Sequence, residues 1–252
     1  MPAAARDRDR DADVAFDRHI RLAGTRNLRD VGGYPAGDGV RTRWRTLLRT
    51  DALDRLPAAS QAELVALGLR QVIDLRWPSE LDEYPSVFRA SDAVRYRNVP
   101  LLDEDPGPGK TLADIYRLML DARAPQLVEV VRALLEPGGL PAVIGCAAGK
   151  DRTGVAIALV LAAVGVPTDI VAGDYALSAE LFAAEVADEH LVDWRAAPAV
   201  VDCAPENMLE ALDHLERRHG GAAALLLRNG LTEDELSRLA DVLTEPHPAN
   251  GA

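Results

Sequence analysis

The sequence predicts an α/β fold, with a central, mostly parallel sheet flanked by helices. Short apolar runs typical of buried strands alternate with longer segments of helical periodicity. The best defined strand, residues 141–144, leads through a loop of small residues into a long apolar segment, 155–166, typical of a buried helix. That order places the loop at the carboxyl end of a strand, where open α/β sheets bind their ligands.

The remaining elements follow from the same periodicities. Further strands are predicted at residues 44–50, 71–75 and 94–102. Helices are predicted at 57–67, 111–120, 126–135 and from 168 onward. After residue 177 the pattern is wholly helical, with helices expected over 179–190, 206–218, 222–228 and 232–243.

The domain organisation follows from shifts in composition. Residues 1–16 are charged and non-periodic and are expected to be a disordered leader. Residues 17–244 form one predicted domain, and 245–252 a frayed tail. Within the domain, 180–230 is expected to be a helical lid or cap, with peripheral helical packing as the alternative. The Pro- and Gly-rich stretch 103–109 is a predicted loop.

Composition narrows the functional class. A hydrophobic content of 48% and a charged content of 27% are ordinary for a soluble globular protein. The net charge of −12 argues against nucleic acid as a partner but leaves a phosphorylated substrate open. Two cysteines give no disulfide framework, so a cytoplasmic location is expected, with secretion without a signal peptide left open. The apolar run 154–166 is too short to span a membrane, so no stable insertion is expected.

The stretch 143–154 carries the chemistry. Backbone N–H groups converge in a loop between a strand and a helix N-terminus, and the helix dipole adds positive charge. Cys146 lies at the mouth of this loop, where a thiolate nucleophile is favoured. Arg152 supplies a two-pronged donor for phosphate oxygens. The plainer alternative is a buried structural cysteine followed by a solvated turn.

The loop sequence, with Gly-Lys-Asp-Arg-Thr-Gly after Cys146, resembles the cysteine-based protein tyrosine phosphatases. It is most similar to the bacterial tyrosine/serine group with dual-specificity and phosphoinositide activity. The segments 27–34, 48–53, 74–76 and 174–175 resemble landmarks of that group in the same order. The chain departs from the family at Gly145, where a histidine usually braces the loop and tunes the thiolate. Independently of the resemblance, we interpret the polar residues of 20–34 as structural.

The resemblance implies a protein tyrosine phosphatase-like fold and hydrolysis of phosphoric monoesters through a cysteinyl-phosphate. The implied substrates are phosphotyrosine and, within the group's range, phosphoserine, phosphothreonine or phosphoinositides. Cys146 is the implied nucleophile. The implied phosphate-binding residues are Ala147, Ala148, Gly149, Lys150, Asp151, Arg152 and Thr153. Two alternatives stay open: a phosphate-binding pseudophosphatase impaired by Gly145, and, disfavoured by Arg152, a sulfur-transfer enzyme.

A general acid must protonate the leaving oxygen. Asp151 is the choice implied by the resemblance, because in this group the loop itself carries the acid. Asp103 or Asp105 would serve by analogy with ordinary dual-specificity phosphatases, and Asp74, at a strand end, is a third option. Any of these carboxylates could instead pair with Arg76 or Arg152 as scaffold.

Two side chains admit either a functional or an inert interpretation. Lys150, one of only two lysines among 28 basic residues, could extend the substrate range towards phosphoinositides or be an exposed loop charge. Thr153 could hydrogen-bond the sulfur or satisfy the helix backbone.

Neither a cofactor nor a metal is predicted. The five histidines show no metal-binding spacing, and His214 and Glu210 are interpreted as a solvated helix face. Cys203 is interpreted as an inert thiol rather than a resolving partner for Cys146.

Overall fold

The computed structural model describes residues 17–37, 39–103, 109–186 and 203–247, with backbone only at 183–186. Several predictions fall outside these residues. They are the leader (1–16), the alternative acid Asp105 with most of its loop, residues 187–202 of the lid region, and 248–252 of the tail.

A five-stranded sheet forms the centre of the fold. In chain order the strands are β1 (Arg29–Asp30), β2 (Val40–Thr42), β3 (Leu47–Thr50), β4 (Gln71–Asp74), β5 (Arg95–Asn98), β6 (Ala142–Gly145) and β7 (Thr244–Pro246). The sheet order is β1-β3-β6-β4-β5, with β1 antiparallel to β3 and all other pairs parallel. The fully buried β6 lies at the centre, between β3 and β4. The predicted fold class is confirmed.

Nine helices surround the sheet in the part of the chain described. They are α1 (Ala58–Ala66), α2 (Pro78–Glu83), α3 (Leu112–Ala122), α4 (Ala124–Leu135), α5 (Asp151–Ala163), α6 (Thr168–Val186), α7 (Pro205–His219), α8 (Gly221–Arg228) and α9 (Glu233–Leu243). Thr111 and Thr232 begin α3 and α9 with capping boxes, which explains why their starts could be predicted closely.

Helix α5 is the central helix. Ten consecutive residues, 152–161, are buried, because α5 packs against α3, α4, α6, α7 and α8 as well as the sheet. A helix that is apolar on all sides is expected to occupy such a position. The loop between β6 and α5 is therefore held at both ends by the most buried elements of the fold.

Several elements differ from the sequence-based expectations. Helix α5 starts at Asp151, four residues before the predicted start, so Arg152 and Thr153 belong to its first turn. Helix α6 runs to Val186 without the break expected near residue 178. Residues 244–246, placed mostly in the tail, form β7 and pair with β2, a contact between distant segments that local periodicity cannot show.

The C-terminal helices belong to the packed body of the protein. Leu212 and Leu215 of α7 and Leu225 and Leu226 of α8 are buried in the same core as α5. Residues 205–228 are thus packed against the core, and the lid stays a prediction. Across the described residues, no helix is both long enough and apolar enough to cross a bilayer.

Candidate active site

The loop of residues 146–150 connects the carboxyl end of β6 to the start of α5. Cys146 follows directly after Gly145 and is 2% exposed, while Arg152, in the first turn of α5, is 7% exposed. Burial disfavours the charge of Arg152, but attraction by Cys146 and Glu80 outweighs it, so the pKa of Arg152 is raised. The predicted nucleophile, Cys146, and the predicted phosphate-binding residue, Arg152, are therefore close enough for their charges to interact.

Donors outside the loop fix the direction of its peptides. Three carbonyl oxygens in a row accept hydrogen bonds: Ala147 from the Ala52 N–H (3.1 Å), Ala148 from Asn27 Nδ2 (2.9 Å) and Gly149 from Arg49 Nη2 (2.7 Å). In a trans peptide the N–H points opposite to the carbonyl. The N–H groups of residues 148–150 therefore point to the inner side of the loop, as an anion cradle requires.

Gly149 is required by this geometry. Its φ is +67°, and a Cβ there would lie 2.4 Å from the carbonyl oxygen of Thr50. No other residue can make this turn so close to β3 without displacing the backbone. The glycine within the motif thus has a steric cause.

The guanidinium of Arg152 is oriented from one side. Its Nη1 and Nη2 bind the two carboxylate oxygens of Glu80 at 2.5 and 2.9 Å, and its Cζ lies 4.4 Å from the ring centroid of Trp77. A guanidinium has five N–H donors, so this end-on pair leaves three, including Nε. Glu80 and Trp77, both on or beside α2, were not predicted as site residues because α2 itself was not predicted.

Asp151 follows the loop directly, as the first residue of α5. Its Oδ1 accepts a hydrogen bond from the hydroxyl of Tyr116 at 2.6 Å. Tyr116 also contacts the hydroxyl of Tyr175 at 2.7 Å, and because Tyr116 has one proton to give, Tyr175 is the donor there. Burial and then the charge of Asp151 raise the pKa of Tyr116 far above its usual value, so Tyr116 remains a neutral donor.

Lys150 is not an exposed loop charge. The residue is 1% exposed, and its Nζ lies 3.6 Å from Asp151 Oδ1. The plainer interpretation of Lys150 is therefore wrong. Its ammonium group belongs to the interior of the site.

Thr153 is buried at the start of α5. Among the described residues, its Oγ1 has no hydrogen-bond partner. A threonine that only satisfied the helix would bond a backbone carbonyl one turn earlier. The hydroxyl therefore remains available to a group within the loop.

The alternative acids have other partners. Asp74 forms a buried ion pair with Arg76 (2.8 Å) and accepts a hydrogen bond from the hydroxyl of Tyr96 (3.1 Å). Asp103 is 68% exposed at its side chain and pairs with Arg123. Asp74 and Arg76 thus act on each other at the sheet edge, and Asp103 is not brought to the loop.

A buried network supports the loop from behind. The carboxylate of Asp174, on α6, binds Arg49 Nη1 (2.5 Å), Arg29 Nε (3.3 Å) and the Tyr34 hydroxyl (3.0 Å). Burial alone would raise its pKa, but the charges of Arg29 and Arg49 lower the pKa of Asp174 to about 2. Arg29 also donates to the side-chain oxygen of Asn27.

The role of these residues was only partly predicted. They were noted as landmarks of the resemblance, and the polar residues of 20–34 do satisfy one another. Their hold on the loop carbonyls, through Asn27 and Arg49, was missed. Only the fold shows these contacts, as buried charged residues that lie close to the motif.

Cys203 and Gly145 have no catalytic role in this geometry. Burial raises the pKa of the free thiol Cys203 to about 11, as expected of an inert cysteine. At Gly145, an added Cβ would lie 2.8 Å from Thr50 Cγ2. Thr50 thus occupies the space that a side chain at position 145 would need.

Comparison with known proteins agrees with this geometry. Residues 20–245 match the sequence model of the tyrosine phosphatase family. The chain belongs to that family. It is 28% identical over 211 residues to a tyrosine-protein phosphatase of Nostoc commune, covering 76% of this chain and 72% of the relative. It is also 26% identical over 274 residues to the triple specificity protein phosphatase PtpB of Mycobacterium tuberculosis, covering 88% and 98%.

These findings confirm two of the predictions. The resemblance to a bacterial tyrosine phosphatase is borne out by the family match and the curated relatives, and the protein is a protein tyrosine phosphatase. The family assignment agrees with a loop that points N–H groups inward beside Cys146 and Arg152.

Proposed function

We propose that this phosphatase hydrolyses phosphotyrosine through a phosphoenzyme on Cys146. The observation that carries the proposal is the orientation of the loop. Three successive carbonyl groups are bound by donors outside the loop, so the N–H groups of the same peptides point to the opposite, inner side of the loop. Such an arrangement stabilises the charge on the three equatorial oxygens of a phosphoryl group in transfer.

In the first step, the thiolate of Cys146 attacks phosphorus. The sulfur–phosphorus bond forms as the bond to the leaving oxygen breaks. That oxygen takes a proton from Asp151, so it leaves as an alcohol or phenol. Arg152 holds two phosphate oxygens with donors that Glu80 does not use, and Glu80 keeps the guanidinium in place.

In the second step, water attacks phosphorus and gives its proton to Asp151. The bond to sulfur breaks, which returns the thiolate and releases inorganic phosphate. The hydroxyl of Thr153, without another partner among the described residues, is available to donate to the departing sulfur. The loop and Arg152 supply the positive charge in both steps, so the scheme uses no metal.

Asp151 is favoured as the acid and base for a geometric reason. It begins α5, within the loop that binds phosphate, and its Oδ1 is occupied by Tyr116. The proton to be transferred therefore sits on Oδ2. Asp74 is engaged by Arg76 and Tyr96, and Asp103 is engaged by Arg123 away from the loop.

The proposed substrate range extends beyond phosphotyrosine. The name of the mycobacterial relative states triple specificity, and we propose phosphoserine and phosphothreonine as further substrates here. We propose phosphoinositides as the weakest substrates of the range, because the buried Lys150 lies beside Asp151 rather than extending from the loop to a large headgroup.

The pseudophosphatase alternative rests on Gly145. It is disfavoured because the loop is braced without a side chain at that position, by Asn27, Arg49 and the Ala52 N–H. The bracing that the family assigns to a histidine is supplied from β3 and from the segment before β1.

A panel of phosphotyrosine, phosphoserine and phosphothreonine peptides, with a soluble phosphoinositide, tests the proposal. Release of phosphate by the wild type should be abolished in Cys146→Ser. Asp151→Asn should lower kcat by about 10²- to 10⁴-fold, the usual contribution of a general acid. Asp103→Asn, which alters an exposed carboxylate, should stay close to the wild type. A wild type that binds phosphopeptide without hydrolysing it would instead establish the pseudophosphatase.

A further inference from the structure

We propose that Asp121, His214 and His219 form a binding site for a transition-metal ion of the zinc class. Asp121 lies in the last turn of α3, and the two histidines lie on α7, where they flank its last turn. The site is separate from the residues of the phosphatase reaction, and the proposal does not depend on that reaction.

The three ligand atoms already converge. Nε2 of His214 lies 2.8 Å and Nε2 of His219 lies 2.6 Å from the same oxygen, Oδ1 of Asp121. The candidate ligand atoms of all three residues lie within 4.8 Å of one another. Ligand atoms around a tetrahedral zinc lie roughly 3.3 Å apart, given bonds of about 2.0–2.1 Å. A small outward shift of the side chains therefore admits an ion.

The imidazole rings approach from different directions. Their centroids are 5.7 Å apart and their planes are inclined by 72°. Because both Nε2 atoms also lie beside Oδ1 of Asp121, rings at this inclination can present their Nε2 lone pairs to one ion. Stacked rings could not do this.

The donor set matches a defined class of metal. Two imidazoles and one carboxylate bind zinc in protein sites that keep a fourth position for water, and imidazole generally selects zinc, copper, iron or nickel over magnesium or calcium. The side chains of His214 and His219 are 19% and 15% exposed, and that of Asp121 is 44% exposed. The nitrogen ligands are thus shielded, while the carboxylate side is open to an entering ion.

The surroundings of the cluster carry charges of both signs. Helices α3 and α7 both end there, and the C-terminus of a helix carries partial negative charge, which favours a cation. Arg217 and Arg218 lie in the last turn of α7, with Arg217 paired to Asp213, and Arg228 donates to the carbonyl oxygen of His219.

Sequence spacing could not show this site. The histidines are five residues apart on one helix, which is not the spacing of a familiar metal motif, and the carboxylate comes from another helix. The expected neighbour of His214, Glu210, instead pairs with Arg117 on α3. The interpretation of His214 and Glu210 as a solvated face is therefore corrected for His214, whose side chain is mostly buried, while that of Glu210 is 48% exposed.

A bound ion would fasten α3 to α7. Since α3 carries Tyr116, which binds Asp151, the ion would hold a helix that reaches the active site. Binding only to the folded state raises the melting temperature in proportion to the logarithm of the metal concentration above Kd. The site is thus expected to stabilise the fold without entering the reaction.

The test uses full-length protein with Cys146→Ser, which removes the thiolate as a competing ligand. Calorimetric titration with Zn²⁺ should give one ion per chain, and Zn²⁺ should raise the Tm. Co²⁺ should give a d–d spectrum without the charge-transfer band of a thiolate ligand. His214→Asn, His219→Asn and Asp121→Asn in this background should each weaken binding at least tenfold.

Matched controls make the result specific. His247→Asn removes a histidine outside the cluster, and Glu206→Gln removes a carboxylate from the first turn of the same helix; both should keep wild-type affinity. Circular dichroism verifies that each variant is folded before its affinity is compared. No binding of Zn²⁺, or binding that the three cluster variants leave unchanged, would overturn the proposal.

Discussion

In the proposed mechanism, Tyr116 decides which oxygen of Asp151 carries the transferred proton. It donates to Oδ1 and in turn accepts from Tyr175, so Oδ2 remains for the leaving group. The high pKa of Tyr116 prevents it from acting as the acid itself. Tyr116 is therefore a positioning residue that acts through Asp151.

Removal of this hydroxyl should lower kcat by about tenfold, less than loss of the acid itself. Tyr116→Phe should lower it more for phenyl phosphate, a poor leaving group, than for para-nitrophenyl phosphate. In an Asp151→Asn background the further loss should be small, because the residues act as a unit. Tyr96→Phe, which removes a hydroxyl bound to Asp74, is the control. Equal losses with and without Asp151 would show a merely structural role.

Thr50, on β3, occupies the space that a side chain at position 145 would need. A histidine here restores the family's usual residue, yet its Cβ would lie 2.8 Å from Thr50 Cγ2. Gly145→His alone is therefore expected to lower activity and to destabilise the protein by about 1–3 kcal/mol through overpacking. Thr50→Ala combined with Gly145→His should recover part of both losses. Activity on para-nitrophenyl phosphate and urea unfolding measure the two effects; a large gain from Gly145→His alone would contradict this account.

Among the elements, β3 and α6 support the loop together. Arg49 of β3 bonds the Gly149 carbonyl with one nitrogen and Asp174 of α6 with another. Helix α6 thereby fixes a loop that it does not itself carry. Breaking a buried pair leaves uncompensated charge, which usually costs about 3–5 kcal/mol.

Asp174→Asn should lower the free energy of unfolding by about 3–5 kcal/mol at neutral pH, because Arg29 and Arg49 lose their counter-charge. The folded pKa of Asp174, about 2, lies below the model-peptide value of 3.8. Its ionisation therefore stabilises the fold fully above pH 3.8, and that contribution is lost as the pH falls through the folded pKa.

Urea unfolding of both proteins between pH 5 and pH 2 checks this sign. The difference in free energy of unfolding between wild type and Asp174→Asn should narrow by about 2 kcal/mol as the pH is lowered over that range. Asp169→Asn, an exposed carboxylate on the same helix, should change stability by less than about 1 kcal/mol. A gap that stays constant, or widens in acid, would contradict the ion pairing of Asp174.

The elements differ in how far the sequence could predict them. β6 is a short apolar run and α9 begins with a capping box at Thr232, so both were placed closely by local signals. Helix α2 was missed because its six residues carry little apolar periodicity and its start is set by Pro78. β7 exists only by pairing with β2, some 200 residues earlier in the chain.

At the scale of the whole molecule, the site likewise combines residues that a local motif reveals with residues that only tertiary contacts bring together. Cys146 and Arg152 are close in sequence, so a single motif revealed them. Glu80 and Tyr116 come from two separate helices and contact Arg152 and Asp151 only in the tertiary fold. Asp174, from a third helix, acts on the loop through Arg49. The cluster of Asp121 with the two histidines of α7 depends on the packing of α3 and α7 in the same way.

The central claim is that the fold holds a nucleophilic sulfur at the base of an anion cradle. Quenching of the enzyme in alkaline denaturant, which preserves a sulfur–phosphorus bond, during turnover of para-nitrophenyl phosphate, followed by peptide mass spectrometry, tests it most directly. Asp151→Asn should accumulate the intermediate, since it slows the attack of water. One phosphoryl group should appear on the peptide that contains Cys146, and none in Cys146→Ser. Turnover without a phosphorylated Cys146, or a phosphoryl group on another residue, would contradict the account.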